Sequence, residues 1–343
     1  MRLELTRPDD WHVHLRDGAG LASVTPDTAR RFGRAVVMPN LKPPITTVDE
    51  AAAYRERILA AVPAGVSFEP LMTLYLTDRT QPAEIEKAKQ SGFVHAVKFY
   101  PAGATTNSEN GVTDWDAVRP TLQAMERHDL PLLVHGEVTD NEVDVFDRER
   151  VFLERHLAPL VQQMPGLRVV LEHVTTADAV DFVRAAPANV AATITVHHLL
   201  WNRGEIFRGG LRPHAFCLPV LKRERHRQAL VAAATGDDAS FFLGTDSAPH
   251  PRSRKESDCG CAGIYTGHAA IELYAEAFER AGNLDKLEAF ASHRGADFYR
   301  LPRNTDTITL ERRDHVVPTE LPFGDEVLTP MFAGETIHWQ LVG

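Results

Sequence analysis

Cysteine is scarce in this 343-residue chain, which holds only Cys217, Cys259 and Cys261. An odd and sparse set cannot build a disulfide framework, so the fold must rest on a buried core, and the usage fits a reducing compartment. A basic excess is missing too. There are 37 Lys and Arg against 47 Asp and Glu, a formal net charge of −10, which leaves no global footprint for nucleic acid or an anionic membrane. One local Arg could still bind a small carboxylate. No apolar run reaches the ~18 residues of a membrane span. The opening MRLELTRPDDWHVHL has no apolar core of signal-peptide length, so a cytoplasmic protein is the expectation. The chain also lacks a G-x-G-x-x-G after its first strand and a Walker A motif, which argues against a dinucleotide fold or a P-loop enzyme. No fixed-period repeat is present.

What the chain does have is alternation. Short runs rich in Val, Leu, Phe and Thr recur at residues 11–15, 35–38, 68–76, 94–100, 131–135, 167–173, 190–196 and 241–245. Each is closed by turn-prone residues, and together they predict eight strands. The segments 48–62, 83–89, 115–127, 148–163, 176–186, 222–235 and 268–281 are patterned as helices. Asp114 suits the N-cap of the helix beginning at Trp115. Eight strands alternating with helices predict an α/β chain folded as a (β/α)8 TIM-type barrel over residues 1–300. Residues 301–343 carry short strand-like pieces at 306–310 and 335–341 among Pro and Gly. They read as a C-terminal extension packed on the barrel.

With 16 histidines in the chain, scattered ones carry no weight; their place relative to strand ends does. His12 and His14 lie two apart on the first strand and share a face. Lys98 lies in the fourth strand, in HAVKFYP. His135 closes the fifth in LLVHGE, His173 the sixth in LEHVTT, and Asp246 the eighth in GTDSAPH. In such a barrel the C-terminal strand ends meet at one mouth, which would gather all six. Singly, each has an ordinary role: a strand-end His or Asp caps or hydrogen-bonds, and a Lys snorkels. Jointly, imidazole and carboxylate suit zinc or a similar divalent metal. An ammonium beside divalent metals is disfavoured. A neutral lysine amine can instead add CO2 and become an anionic N-carboxylate able to bridge two metals.

The segments DDWHVHLRDG, VVMPNLKPPITTV, VKFYPAGATTNSENGVT, PLLVHGEVT, LEHVTT, AATITVHHLLWNR, RPHAFCLPVLKR and GTDSAPHPRSRKESDCGCAG follow one another from residue 10 to about 263. They resemble the amidohydrolase superfamily and, within it, the dihydroorotases of the monofunctional bacterial type. The resemblance implies a hydrolase of cyclic amides that interconverts N-carbamoyl-L-aspartate with L-dihydroorotate and water in pyrimidine biosynthesis. It implies a cytoplasmic homodimer with a small-molecule substrate and no nucleic-acid or membrane partner. It further implies two Zn2+ per subunit: His12, His14 and Asp246 hold one, His135 and His173 the other, and a CO2-derived carbamate on Lys98 bridges them. Asp246 would also be the catalytic proton carrier. Arg16, Asn40 and His250 would hold the substrate carboxylate, and main chain near Leu218 and Ala262 would meet the pyrimidine ring. His135, Thr105 and Thr106 complete the implied substrate set, the last two in a loop, 103–111, that is mobile in the family. The residue chemistry agrees: Arg offers a planar fork to a carboxylate, and small polar residues and glycines suit a lid.

Two rival readings compete. A hydantoinase or allantoinase would share fold and metals, and the acid-binding set Arg16, Asn40 and His250 argues against a neutral ring. A non-catalytic barrel acting as an assembly partner need not keep its ligands, and here the set is complete. Cys259 and Cys261 form C-G-C, but closed structural zinc sites want four Cys or His ligands; a pair of oxidation-sensitive thiols is the milder reading. Arg252, Arg254 and Lys255 form a basic run that reads as a solvated loop.

Overall fold

The computed structural model describes residues 1–342. After β1 (Arg2–Thr6), the chain runs through β2 (Asp10–Val13), β3 (Arg34–Val37), β4 (Glu69–Tyr75), β5 (Val94–Phe99), β6 (Leu132–His135), β7 (Val169–Glu172), β8 (Val190–Ile194) and β9 (Phe241–Leu243). Strands β2 to β9 form one sheet in chain order, every neighbouring pair parallel. These are the eight predicted strands, with ends shifted by a residue or two. Helices between them cover the outside, giving the TIM-type barrel. Closure is completed just beyond the strands. Asp246 N donates to His12 O at 2.9 Å and His14 N to Ser247 O at 3.1 Å. Asp10 staples the same seam: its Oδ1 accepts from His12 N (3.1 Å) and Thr245 N (2.9 Å), and its Oδ2 accepts from Thr245 Oγ1 (2.6 Å).

Period-two alternation then sorts the side chains. Val36, Leu71, Ala96, Leu133, Val170, Ala191 and Phe242 pack inside the barrel with Trp11, while their strand neighbours Val37, Met72, Val97, Leu132, Leu171 and Leu243 join the outer core under the helices. Two residues further along the inward face come Lys98, His135 and Glu172. The apolar floor therefore lies below and the polar layer at the C-terminal mouth. The floor is plugged by the helix Arg294–Tyr299, whose Tyr299 stacks on Trp11 with ring centroids 4.4 Å apart. Gly295 is required there, because a Cβ would sit 2.0 Å from Trp11 Nε1.

The helix Val48–Ala61 begins on a reciprocal capping box between Thr47 and Glu50, and Asp114 caps Trp115–His128 as predicted. The helix Ala19–Arg31 has no counterpart in the sequence reading. It contains Pro26, which argues against a helix interior, although Leu21, Val24, Thr25, Thr28 and Ala29 fall at helical spacing and are buried along one face.

The C-terminal segment forms β10 (Thr307–Val316), β11 (Leu321–Phe323), β12 (Glu326–Leu328) and β13 (Thr336–Val342). Strands β11 and β12 pair as a hairpin. Strands β1, β10 and β13 form a separate antiparallel sheet, so the first strand of the chain lies with the last. Leu5, Leu310, Ile337 and Trp339 belong to the outer core. Trp339 is fully buried, and its indole N–H donates to Glu279 on the helix Ala270–Arg280 at 3.1 Å.

Candidate active site

At the mouth, three donors converge on one point. His12 Nε2 and His14 Nε2 are 3.3 Å apart and lie 3.3 and 3.0 Å from Asp246 Oδ1. Gly244 makes the approach possible, since a Cβ there would lie 3.1 Å from the Cβ of His12 and 2.7 Å from that of Thr193. His173 and His135 complete the ring of imidazoles, with the His173 centroid 5.0 Å from His12 and 4.9 Å from His135. Simple alternation would point His173 outward, one residue past Glu172. Its backbone turns left-handed instead, φ 44°, and Asp246 does the same, φ 44°. Non-glycine residues rarely adopt that region, and such residues cluster at functional sites.

Neighbours fix the rings. His14 Nδ1 meets Asn40 Oδ1 at 2.9 Å, and His12 Nδ1 lies 2.9 Å from Glu172 Oε2. His135 Nε2 meets Glu137 Oε2 at 2.8 Å, so only Nδ1 of that ring remains for a ligand. Lys98 is fully buried, donates to Glu172 Oε2, and has its ammonium 4.8 Å from the Tyr100 ring centroid.

Burial opposes ionisation of Asp246, but His12 beside it and hydrogen bonds from His12 and His14 hold its carboxyl well below the usual range. Burial would depress His12, but Glu172 and Asp246 outweigh it and push the ring up to about 9. Burial lowers His14 to about 4, takes His173 well down, and lowers Lys98. The field that keeps a proton on His12 would equally hold a metal cation. His12, His173 and Asp246 place ligand atoms within 4.8 Å of one another, and His173 Nδ1 is buried without a partner. This imidazole and carboxylate set fits a divalent metal.

The cavity above is lined by His12, His14, Arg16, Asn40, Thr105, Thr106, His135, His173, Leu218, Asp246 and Ala262. Those eleven were all anticipated. Lys98, buried in the same polar layer, does not line the cavity. His250 stands behind Arg16, whose Nη2 is 2.9 Å from His250 Nε2 and whose Nε donates to Pro249 O at 2.9 Å. Arg16 Nη1 makes no hydrogen bond within the chain among the described residues, and Arg16 is itself left-handed, φ 59°. Burial, with Arg16 next, pushes His250 down to about 2, so its ring is neutral.

Loop 103–111 lies closed over this cavity. Asn40 Nδ2 donates to Thr106 O (3.1 Å), Asn107 Nδ2 to Asn40 O (3.0 Å) and Thr106 Oγ1 to Ala262 O (3.4 Å). The sequence reading passed over Tyr100, Ala248 and Gly263 on the cavity wall, and Asp10, Glu137 and Glu172 behind the histidines. Tyr100 and Glu172 carried a signal, each being adjacent to or two residues from a ligand on an inward strand face. Cys259 and Cys261 have their sulfurs 3.9 Å apart as free thiols. Among the described residues no His, Asp or Glu joins them in a metal-type cluster.

A family model described as the amidohydrolase family matches residues 10–336. A dihydroorotase of Methylobacillus flagellatus is 66% identical over 339 residues, covering 99% of this chain and 98% of its own. A solved dihydroorotase from Saccharomyces cerevisiae, in complex with 5-fluoroorotic acid, superposes with TM-score 0.92 at 34% identity over 99% of this chain and 98% of that one. One from Campylobacter jejuni gives 0.91 at 35% over 100% and 98%.

Proposed function

The chain belongs to the amidohydrolase family and, within it, to the dihydroorotases, and from that premise we propose how its cavity opens and closes the ring. The reaction interconverts L-dihydroorotate and water with N-carbamoyl-L-aspartate, a step of pyrimidine biosynthesis. Dihydroorotate carries one carboxylate and carbamoyl-aspartate two, so opening releases one proton near neutrality. The equilibrium therefore moves toward opening by ~10-fold per pH unit.

The metals proposed are two Zn2+. His12, His14 and Asp246 would hold one, and His135, through Nδ1, and His173 the other, with Lys98 as an N-carboxylate between them. When bound, such ions supply a water of lowered pKa and positive charge against a developing oxyanion. The protein's own part follows from its atoms. Asp246 Oδ1 faces His12 and His14, while Oδ2 makes no hydrogen bond among the described residues. Oδ2 takes the proton of the attacking water and delivers it to the departing ring nitrogen, and runs in reverse for cyclisation. Arg16 presents its free Nη1 to the substrate carboxylate, with Asn40 beside it and His250 bracing the guanidinium. Main chain at Leu218 and Ala262 meets the ring amides. Thr105 and Thr106 close over the top and exclude water. The 5-fluoroorotic acid held by the yeast relative is likewise a pyrimidine carboxylate.

We also propose a cytoplasmic homodimer, with the catalytic barrel within residues 1–300 and residues 301–343 as its extension, whose sheet takes in β1. The three free cysteines fit a reducing compartment, and light scattering tests the dimer.

The observation that carries the reading is the convergence of His12, His14 and Asp246 directly below the wall that bears Arg16 and Asn40. Its test is turnover of L-dihydroorotate by zinc-replete protein in bicarbonate buffer, with Lys98→Ala alongside. The parent should turn over and the variant should lose at least ~100-fold in kcat, as for loss of a group that positions the metals. A folded, metal-loaded parent without turnover overturns the reading.

A further inference from the structure

The basic run after the last barrel strand is not a solvated loop throughout. Arg252 and Arg254 remain partly or fully exposed, but Lys255, the last residue of the short helix Arg252–Lys255, is only 3% exposed. Its ammonium has three N–H donors, and all three are used. They donate to the carbonyls of Phe216, Cys261 and Gly263, each at 2.8 Å. The Phe216 ring centroid lies 5.7 Å from the same nitrogen. A buried cation is thus held by carbonyls where a carboxylate would be the usual partner.

The three carbonyls belong to two segments far apart in sequence, 216–218 and 261–263. Gly263 N donates to Phe216 O at 3.0 Å, so the segments lie side by side. They carry Leu218, Ala262 and Gly263, which line the cavity. Packing leaves this wall little room, since a Cβ on Gly263 would lie 2.7 Å from Ala248 O. The wall is also where other parts of the site attach. Ala262 O accepts from Thr106 Oγ1 at 3.4 Å, and the His250 ring, whose Nε2 accepts from Arg16 Nη2, packs beside it. Without the ammonium, three inward carbonyls would lose their shared donor, and the two segments would keep little but one backbone hydrogen bond.

We propose that Lys255 is a positioning residue for the substrate: its ammonium ties residues 216–218 to residues 261–263 and fixes the main-chain wall against which the ring lies. This rests on the placement of dihydroorotate given above. Lys255 touches neither the metal ligands nor the substrate carboxylate, so its loss should weaken substrate binding and spare the chemistry.

The experiment is steady-state kinetics of zinc-replete Lys255→Met, which keeps length and loses every donor. KM for L-dihydroorotate should rise at least ~10-fold while kcat falls less than ~3-fold, the signature of lost ground-state positioning. Zinc content per chain should match the parent. An unchanged KM with a lowered Tm would make Lys255 merely structural and overturn the proposal. A kcat loss at constant KM, or a loss of zinc, would overturn it as well, because either places Lys255 in the chemistry or the metal framework. Should Lys255→Met fail to fold, Lys255→Arg decides: a planar fork cannot aim at three converging acceptors. It should raise KM at least ~3-fold, and a parent-like KM overturns the proposal. A parent that does not turn over dihydroorotate sinks the substrate reading and this proposal with it. A parent that does, with variants of normal KM, sinks this proposal alone.

Discussion

Arg16, His173 and Asp246 share a backbone conformation that side chains normally avoid, with φ between 44° and 59°. Each stands just past a strand end. For His173, one residue past inward Glu172, alternation would carry the side chain away from the mouth, and the left-handed turn redirects it. Arg16 is then anchored through Nε and Nη2 to Pro249 O and His250, which leaves Nη1 for a ligand carboxylate. Arg16→Met removes that donor and its charge while keeping much of the stem. Measured with L-dihydroorotate, it should raise KM by ~10-fold or more with a smaller effect on kcat, because a charge-assisted hydrogen bond made equally in ground and transition states is lost. A neutral cyclic imide offered as an alternative substrate should lose far less; an equal loss for both would refute the carboxylate role.

Among the elements, β5, β6 and β7 each bring a chemical side chain by the same device. Alternation places Lys98 two residues above Ala96, His135 above Leu133 and Glu172 above Val170, so an apolar floor and a polar layer are built from one repeat. The helices outside chiefly supply stability, and the start of the helix Val48–Ala61 makes this testable, about two turns before Tyr54, whose hydroxyl donates to Arg16 O. Thr47 accepts from Glu50 N at 3.3 Å, while the Glu50 carboxylate accepts from Thr47 N at 3.0 Å and from Thr46 N at 2.8 Å. Thr47→Ala should cost about 1 kcal/mol of stability, read as a shift in the urea midpoint, with kcat and KM unchanged. A change in kinetics would show that this helix start governs the neighbouring loop. The loop 103–111 is an element of a different kind. Its internal bonds run through Ser108, which accepts from Thr105 N at 2.8 Å and donates to Thr105 O at 2.6 Å. A few hydrogen bonds, to Asn40, Ala262 and the Tyr75 hydroxyl, and a Lys42–Glu109 ion pair hold it over the cavity.

For the molecule as a whole, the sheet of β1, β10 and β13 joins the two ends of the chain and covers the helix Ala270–Arg280 with Trp339. Trp339→Ala should therefore destabilise the entire protein by about 3–5 kcal/mol, in one cooperative urea transition, while the folded remainder keeps its KM. A loss near zero, or a separate early transition, would mean the small sheet folds independently of the barrel. Arg16, Asn40, Thr105, Thr106, Leu218 and Ala262 were named through the family resemblance, whereas the eight barrel strands and their order were legible in the sequence, because alternation and strand-end placement are local properties of a parallel barrel. His12, His14, Lys98, His135, His173 and Asp246 could be picked out on that ground alone. Four things were not legible. The pairing of β1 with β10, in a sheet that β13 completes, joins residues some 300 apart, and nothing in five short residues names such a partner. The helix Ala19–Arg31 carries Pro26 in its interior, which argues against a helix even though its buried residues fall at helical spacing. The partners Asp10 and Glu137 read as ordinary acids until the barrel closes around them. Lys255 reads as one of three cations in a polar loop. Only the tertiary structure decides that it is buried, because its three carbonyl partners come together through the close approach of chain segments nearly 50 residues apart. Local chemistry is written in the sequence; which groups must share one buried point is settled only when distant segments meet there.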